Sequence, residues 1–460
     1  MADREKYFYT QKNTSELIDE DEALLSDSYC EKYKKFIAAA KTERESVKSA
    51  VALAEAEGFK EYHRGMSAKP GDKIYFVNRK KALMLAVIGK KPLSEGANIA
   101  AAHVDAPRLD LKQLPLYEES EIAYFKTHYY GGIRKYQWVT VPLELRGIIA
   151  LSDGRTVDVS IGGNDDDPVF VITDLLPHLA AEQNKKTLAE AITAESLNLV
   201  VGSLPEKNAE GSDRVKLKIL KILFDKYGIT EEDFLSAELE AVPALPVRDV
   251  GLDRSFIGAY GHDDRVCSFA ALRAILDLER PEKTAVCVLA DKEEIGSEGV
   301  SGMKSAVFEY FMSELCEAQG VKLAHCFDGS FCISADVTAA FDPDYPEVSE
   351  KRNSARINYG VGIAKFTGAR GKSGSSDASA EVVARLRHMF YEHKVIWQMG
   401  ELGKVDQGGG GTVAMYMANR NIDTIDAGVP VLSMHAPYEL VSKLDCYMMY
   451  KGMRALFDEK

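Results

Sequence analysis

At 460 residues the chain is too long for one ordinary hydrophobic core, so two domains are expected. A formal net charge of -14 argues against a nucleic-acid partner, and 46% hydrophobic with 28% charged residues is an ordinary globular composition. No apolar run nears the roughly 20 residues that cross a bilayer, and the N-terminus lacks the basic-then-apolar layout of a secretion signal. No membrane association and a cytoplasmic location are therefore expected. The seven cysteines are scattered and form no CxxC pair, which suits buried, reduced thiols. A metal would then be held by His, Asp and Glu.

In chain order, residues 16–58 show helical periodicity with alternating charge and read as outer helices. Residues 73–77, 82–88 and 97–102 read as strands, the last closing on His103-Val104-Asp105. In extended backbone, residues two apart share a face, so Asp105 can orient the His103 imidazole and fix its tautomer. A core histidine capped by its neighbour fits the same pattern.

After Pro107 the texture changes to Tyr-rich, alternating segments (122–125, 136–141, 148–151, 156–161) that suggest a β-rich insertion. Charged stretches follow, with loops expected at 202–214 and 243–248. From Gly258 onward strands and helices alternate: helix 264–279, strand 284–290, helix 302–319, strand 331–335 and helix 376–389. The expected organisation is one α/β domain built from residues 1–106 and 258–460, interrupted by a β-rich domain over 107–257.

The candidate chemistry gathers at the ends of these strands. Gly261-His262-Asp263-Asp264 leads a glycine loop into a helix, where Asp263 reads either as an N-cap or as a carboxylate bridging two ions. His262 reads as structural. The strand 284–290 runs into Asp291-Lys292-Glu293-Glu294. An acidic pair there is either a solvated loop or two carboxylates that raise each other's pKa until a cation compensates. Asp336 closes strand 331–335, where an aspartate also serves as a turn former, and His435 follows the apolar segment 428–432. Taken together, two histidines, three Asp or Glu and a spare Glu at the strand ends of one α/β unit form a ligand set for two divalent ions sharing a carboxylate bridge. A shared hydroxide would neutralise the charge left over, and the favoured chemistry is hydrolysis.

Five segments, HVDAPRLDLK (103–112), GHDDRVCSFA (261–270), DKEEIGSEG (291–299), ISADVTAAFDPDYPE (333–347) and SMHAPYE (433–439), occur in an order that resembles the M18 metallopeptidases of the aspartyl aminopeptidase type. The resemblance implies a three-layer catalytic domain, a mixed sheet flanked by helices, with an inserted dimerisation domain. It implies an aminopeptidase with two divalent ions per subunit, zinc foremost and cobalt or manganese compatible with the same ligands. His103 and Asp336 would hold one ion, Glu294 and His435 the other, with Asp263 bridging. Glu293 would be the general base, and Asp105 would stand behind His103. A dodecamer built from dimers is also implied, with His178, in the string 176–179, reaching a neighbouring subunit's site.

Arg370 and Lys372 could supply a positive group for acidic N-terminal side chains, yet they fit loop positions equally well. Two other readings compete with the aminopeptidase: a related dimetal deacylase of N-acylated amino acids, and a catalytically silent assembly protein on the same scaffold. Near-motifs carry less. Residues 368–373 are too short between glycines for a phosphate loop, and the S-x-x-K match at 301–304 lacks its partner motifs.

Overall fold

The computed structural model describes residues 7–164 and 166–460 and divides into two compact units. Among the described residues, the larger comprises 7–105, 247–434 and 439–460; the smaller comprises 106–164, 166–246 and 435–438.

The larger unit is built on a nine-stranded mixed sheet. Its strands are β1 (Lys60–Glu61), β2 (Lys73–Asn78), β3 (Ala82–Val87), β4 (Ala97–His103), β5 (Thr284–Ala290), β6 (Phe331–Ala335), β7 (Val361–Ala364), β8 (Trp397–Met399) and β9 (Asp423–Gly428). Their order across the sheet is β1-β2-β3-β5-β4-β6-β9-β7-β8. The central strands β5, β4, β6 and β9 are mutually parallel. Every residue of β4 and β5 is buried, as expected of strands covered on both faces.

Alternation along β5 assigns its side chains to two cores. Ala285, Cys287 and Leu289 join Tyr33, Phe269 and Met448, whereas Val286, Val288 and Ala290 join Phe308, Phe311 and Met312. The first core lies under helices α1 (Glu20–Ala39), α2 (Glu43–Ala56), α3 (His262–Leu276) and α6 (Lys443–Asp458). Helix α4 (Val307–Ala318) covers the second, and α5 (Ala380–Glu392) packs on the first. The three-layer α/β class expected from the motifs is therefore present. All seven cysteines are free and buried.

The junction expected at 257 lies at 246/247, because Arg248–Val250 pairs with Phe256–Ala259 in a five-stranded sheet of the larger unit. Asp249 of that sheet collects three cations. Lys34 Nζ lies 2.9 Å from Oδ1, Lys443 Nζ 3.3 Å from Oδ1 and Arg254 NH2 2.8 Å from Oδ2. Burial pushes this carboxyl up, but the three cations outweigh it and hold it below the usual carboxylate range. A depressed native pKa means that the unfolded chain binds the proton more tightly. The stabilisation is thus full above about pH 4 and is lost as the pH falls below it. Asp249→Asn is expected to lower unfolding free energy at pH 7 by about 1–3 kcal/mol. In urea titrations the gap to wild type should close towards pH 2; a gap independent of pH would count against the cluster.

The smaller unit carries a seven-stranded antiparallel sheet, in the order Thr156–Ile161, Leu143–Ala150, Ala237–Pro243, Arg108–Glu119, Ile122–Tyr130, Leu199–Gly202 and Val171–Ile172. The strand expected over 136–141 does not form. A 3-10 turn at Lys135–Gln137 follows the glycines at 131 and 132, Thr140 takes a left-handed φ of 62°, and Trp138 alone is fully buried. The charged stretch after 213 forms an unforeseen helix, Arg214–Tyr227, whose C-terminus is closed by Gly228 at φ 70°. No helix of the described residues is long and apolar enough to cross a membrane.

Candidate active site

Parallel register brings the strand ends to one edge of the larger unit. Ala290, the last residue of β5, pairs with His103, the last of β4, and Ser334 of β6 pairs with Ala101. The residues that follow each strand therefore leave the sheet side by side, where ligands bind in open α/β sheets.

His103 is almost completely buried and engaged on both ring nitrogens. Its Nδ1 lies 3.1 Å from the Asp105 carbonyl and 3.4 Å from Asp105 Oδ1. Nε2 lies 3.2 Å from Asp263 Oδ1, 3.7 Å from Asp336 Oδ1 and 3.9 Å from Glu293 Oε2. The expected i, i+2 placement of Asp105 behind the ring is what the backbone produces.

Asp105 has a second task that its sequence position did not reveal. Its two oxygens accept the backbone N–H groups of Glu293 (3.1 Å) and Glu294 (3.2 Å). Those residues form a single 3-10 turn, Glu293–Ile295, entered and left by left-handed residues, Lys292 at φ 68° and Gly296 at φ 92°. One carboxylate thus orients the imidazole and fixes the turn that carries both glutamates.

Asp263 has non-helical φ/ψ of -79° and 109° at a kink in the first turn of α3, and its Oδ1 faces His103 Nε2. Its peptide bond to Asp264 is cis, and its N–H donates to Glu439 Oε2 at 3.1 Å. Asp264 is a buried carboxylate that the sequence did not single out, and its Oδ2 accepts the His103 N–H at 3.4 Å. The only sequence signal for it was the Asp-Asp doublet. His262 is structural, as read: Tyr33 Oη is 2.7 Å from its Nδ1 and the Ile257 carbonyl 3.1 Å from its Nε2. Burial pushes its pKa down to about 3, so the ring is neutral and both nitrogens are committed.

The electrostatics are those of carboxylates short of positive charge. Burial pushes Glu293 up to about 8, opposed by His103 and reinforced by Asp336 and Asp105. Burial likewise raises Asp336. For His103, burial alone would lower the pKa, but Asp105, Asp263 and Asp336 outweigh it and hold the imidazole well above its ordinary range. Ligand atoms of His103, Asp263 and Asp336 lie within 4.8 Å of one another, as do those of His103, Glu293 and Glu294. Buried imidazole and carboxylate oxygens at this spacing fit a divalent cation, which would supply the positive charge the site lacks.

A family model described as Aminopeptidase I zinc metalloprotease (M18) matches residues 36–457. The chain belongs to the M18 family of zinc metallo-aminopeptidases. It is 48% identical to the "Probable M18 family aminopeptidase 1" of Clostridium acetobutylicum, over 93% of this chain and 94% of that protein. The crystal structure of an M18 aminopeptidase from Thermotoga maritima superposes with a TM-score of 0.94 at 42% identity, covering 98% of this chain and all of that one. Aminopeptidase I from Clostridium acetobutylicum gives 0.92 at 45% identity, with 98% and 100% covered. Membership makes this M18 chain a hydrolase, and the zinc of the family description agrees with the donor set around His103.

His435 belongs to the smaller unit, where its Nδ1 is 2.7 Å from the Gly132 carbonyl. His178 is exposed on that unit, in the 3-10 turn Pro177–Leu179. Lys372, a candidate cation for acidic substrates, lies 3.1 Å from Asp377, which Lys365 also approaches to 2.7 Å. Arg370 sits in the same loop at a left-handed φ of 50°.

Proposed function

We propose that this M18 aminopeptidase holds two divalent ions in one centre and removes the N-terminal residue of peptides with Glu293 as general base. The observation that carries this reading is the double role of Asp105, which presents Glu293 and Glu294 to the same edge that His103, Asp263 and Asp336 occupy. His103 and Asp336 would hold one ion, Glu294 and His435 the other, and Asp263 both. A carbonyl facing His435 Nδ1 requires an N–H there, which leaves Nε2 as the ligating nitrogen. When bound, such ions supply Lewis acidity that polarises a peptide carbonyl and lowers the pKa of water.

The chain's own contribution is proton management. Glu293 takes a proton from the attacking water and returns it to the departing nitrogen. Its high pKa in the ion-free site drops when dications stand beside it, so it starts the reaction ionised. Asp105 keeps the carboxylate aimed by holding the backbone of its turn.

Lys365 and Lys372 share the single carboxylate of Asp377, so with Arg370 this loop keeps a surplus of positive charge that could favour acidic N-terminal residues, and Glu- and Leu-p-nitroanilide compared side by side would decide it. The smaller unit exposes Leu175, Leu176 and Leu179 around His178, an apolar strip suited to pairing subunits in a homo-oligomer. The same strip would deliver His178 to a partner. Elemental analysis of the purified protein should find two divalent ions per chain, and light scattering a mass above that of one chain. One ion per fully active chain would overturn the dimetal centre, and a monomer would overturn the assembly.

A further inference from the structure

A cavity of about 490 Å³ lies in the larger unit, between β2 and the N-terminal half of α4. Its floor is aromatic. Phe76 and Phe311 stack with centroids 6.1 Å apart, and Tyr62 meets Phe311 edge-on at 6.1 Å. Tyr310, 69% exposed, stands at its mouth. Its size falls within the range of small-ligand sites.

The polar groups are few and their charges are unequal. Glu314 Oε2 accepts the Tyr62 hydroxyl at 3.1 Å, and Glu314 Oε1 lies 3.1 Å from Arg64 Nε. Arg64 and Glu314 therefore cancel. Arg79, held at a left-handed φ of 56° at the end of β2, lines the cavity with no ion-pair partner among the described residues. With that pair neutral, the Arg79 guanidinium is the net charge of the lining and suits a single carboxylate.

We propose that this cavity binds an aromatic residue that carries a free carboxylate, its ring on Phe76 and Tyr310 and its carboxylate on Arg79. Ring stacking supplies most of the contact area and the guanidinium fork fixes the orientation. The location gives the site a bearing on the peptidase. Strands β2 and β5 run in the same direction with β3 between them, so their ends are two strand spacings apart, about 10 Å, on one edge of the sheet. Asn78 Nδ2, at the end of β2, donates to the Val300 carbonyl at 2.7 Å and so ties the cavity wall to the segment that begins with Glu293 and Glu294. The ligand has two sources with the same chemistry: the C-terminal residue of a short peptide substrate, or a free aromatic amino acid. The proposal does not depend on which residues hold the ions.

Calorimetry of the holoenzyme with N-acetyl-L-phenylalanine tests it, since the blocked amine offers no free N-terminus to the peptidase centre. Saturable binding is expected, at least ~10-fold weaker for the corresponding amide and at least ~10-fold weaker in Arg79→Gln and in Tyr310→Ala, as loss of a charge-assisted pair or an aromatic wall requires. Both variants should hydrolyse Leu-p-nitroanilide as wild type does. Equal binding of acid and amide, absence of binding, or binding indifferent to Arg79→Gln would overturn the site. Peptides ending in phenylalanine separate the sources. A KM raised by Arg79→Gln for the free acid but not for the amide assigns the site to the substrate's C-terminus. An unchanged KM, with N-acetyl-L-phenylalanine binding lost, assigns it to the free amino acid.

Discussion

Glu293→Gln is expected to keep its metal near the wild-type level while kcat falls at least ~100-fold, the scale of losing a general base. The prediction separates two things that adjacent glutamates usually confound. The Glu293 backbone N–H donates to Asp105, and that bond survives the substitution, so the turn that also carries Glu294 keeps its position. Glutamine has the size and shape of glutamate but cannot accept and return a proton. Elemental analysis and steady-state kinetics on Leu-p-nitroanilide read the two quantities independently. Wild-type kcat in this variant would remove Glu293 from the mechanism.

His435→Ala should act in the opposite way, through metal content. Second-sphere partners of ligands cost about 10–100-fold in metal affinity when removed, so loss of the ligand itself should exceed that and leave about one ion per chain after dialysis. The Gly132 carbonyl holds Nδ1, so His435→Gln, which has no ring nitrogen at the Nε2 position, should not restore the second ion. An unchanged metal count would strike His435 from the ligands.

Legibility from sequence varied with how local each determinant is. Strands 284–290 and 331–335 were placed to the residue because both are continuous apolar runs bounded by breakers. The strand expected over 136–141 failed because alternating Tyr, Trp and Val suits a pleat only if the backbone stays extended, and Thr140 does not. Helix Arg214–Tyr227 hid behind its lysines, although Val215 and Leu223 fall on one buried face. At the site, residue types and order were readable, whereas support across long separations was not. Asp264 reaches His103 from 161 residues away and Glu439 reaches Asp263 from 176 away, and no local pattern announces such pairs. Asp263 stayed open between cap and ligand, because a glycine followed by aspartates is also how helices begin.

The placement of β4 has a consequence for how this chain is made. β4 ends at residue 103, yet its two neighbours in the sheet start at residues 284 and 331. At ribosomal speeds of about 5–20 residues per second, β4 waits roughly 10–40 s for β5 and longer for β6. During that interval a largely apolar strand has both of its hydrogen-bonding edges open, at the stage of synthesis when the smaller unit is emerging. Peptidase activity cannot appear on the nascent chain before the C-terminal half has been translated. The interval before β5 arrives is also where association with other unfinished chains, or capture by a chaperone, would be concentrated.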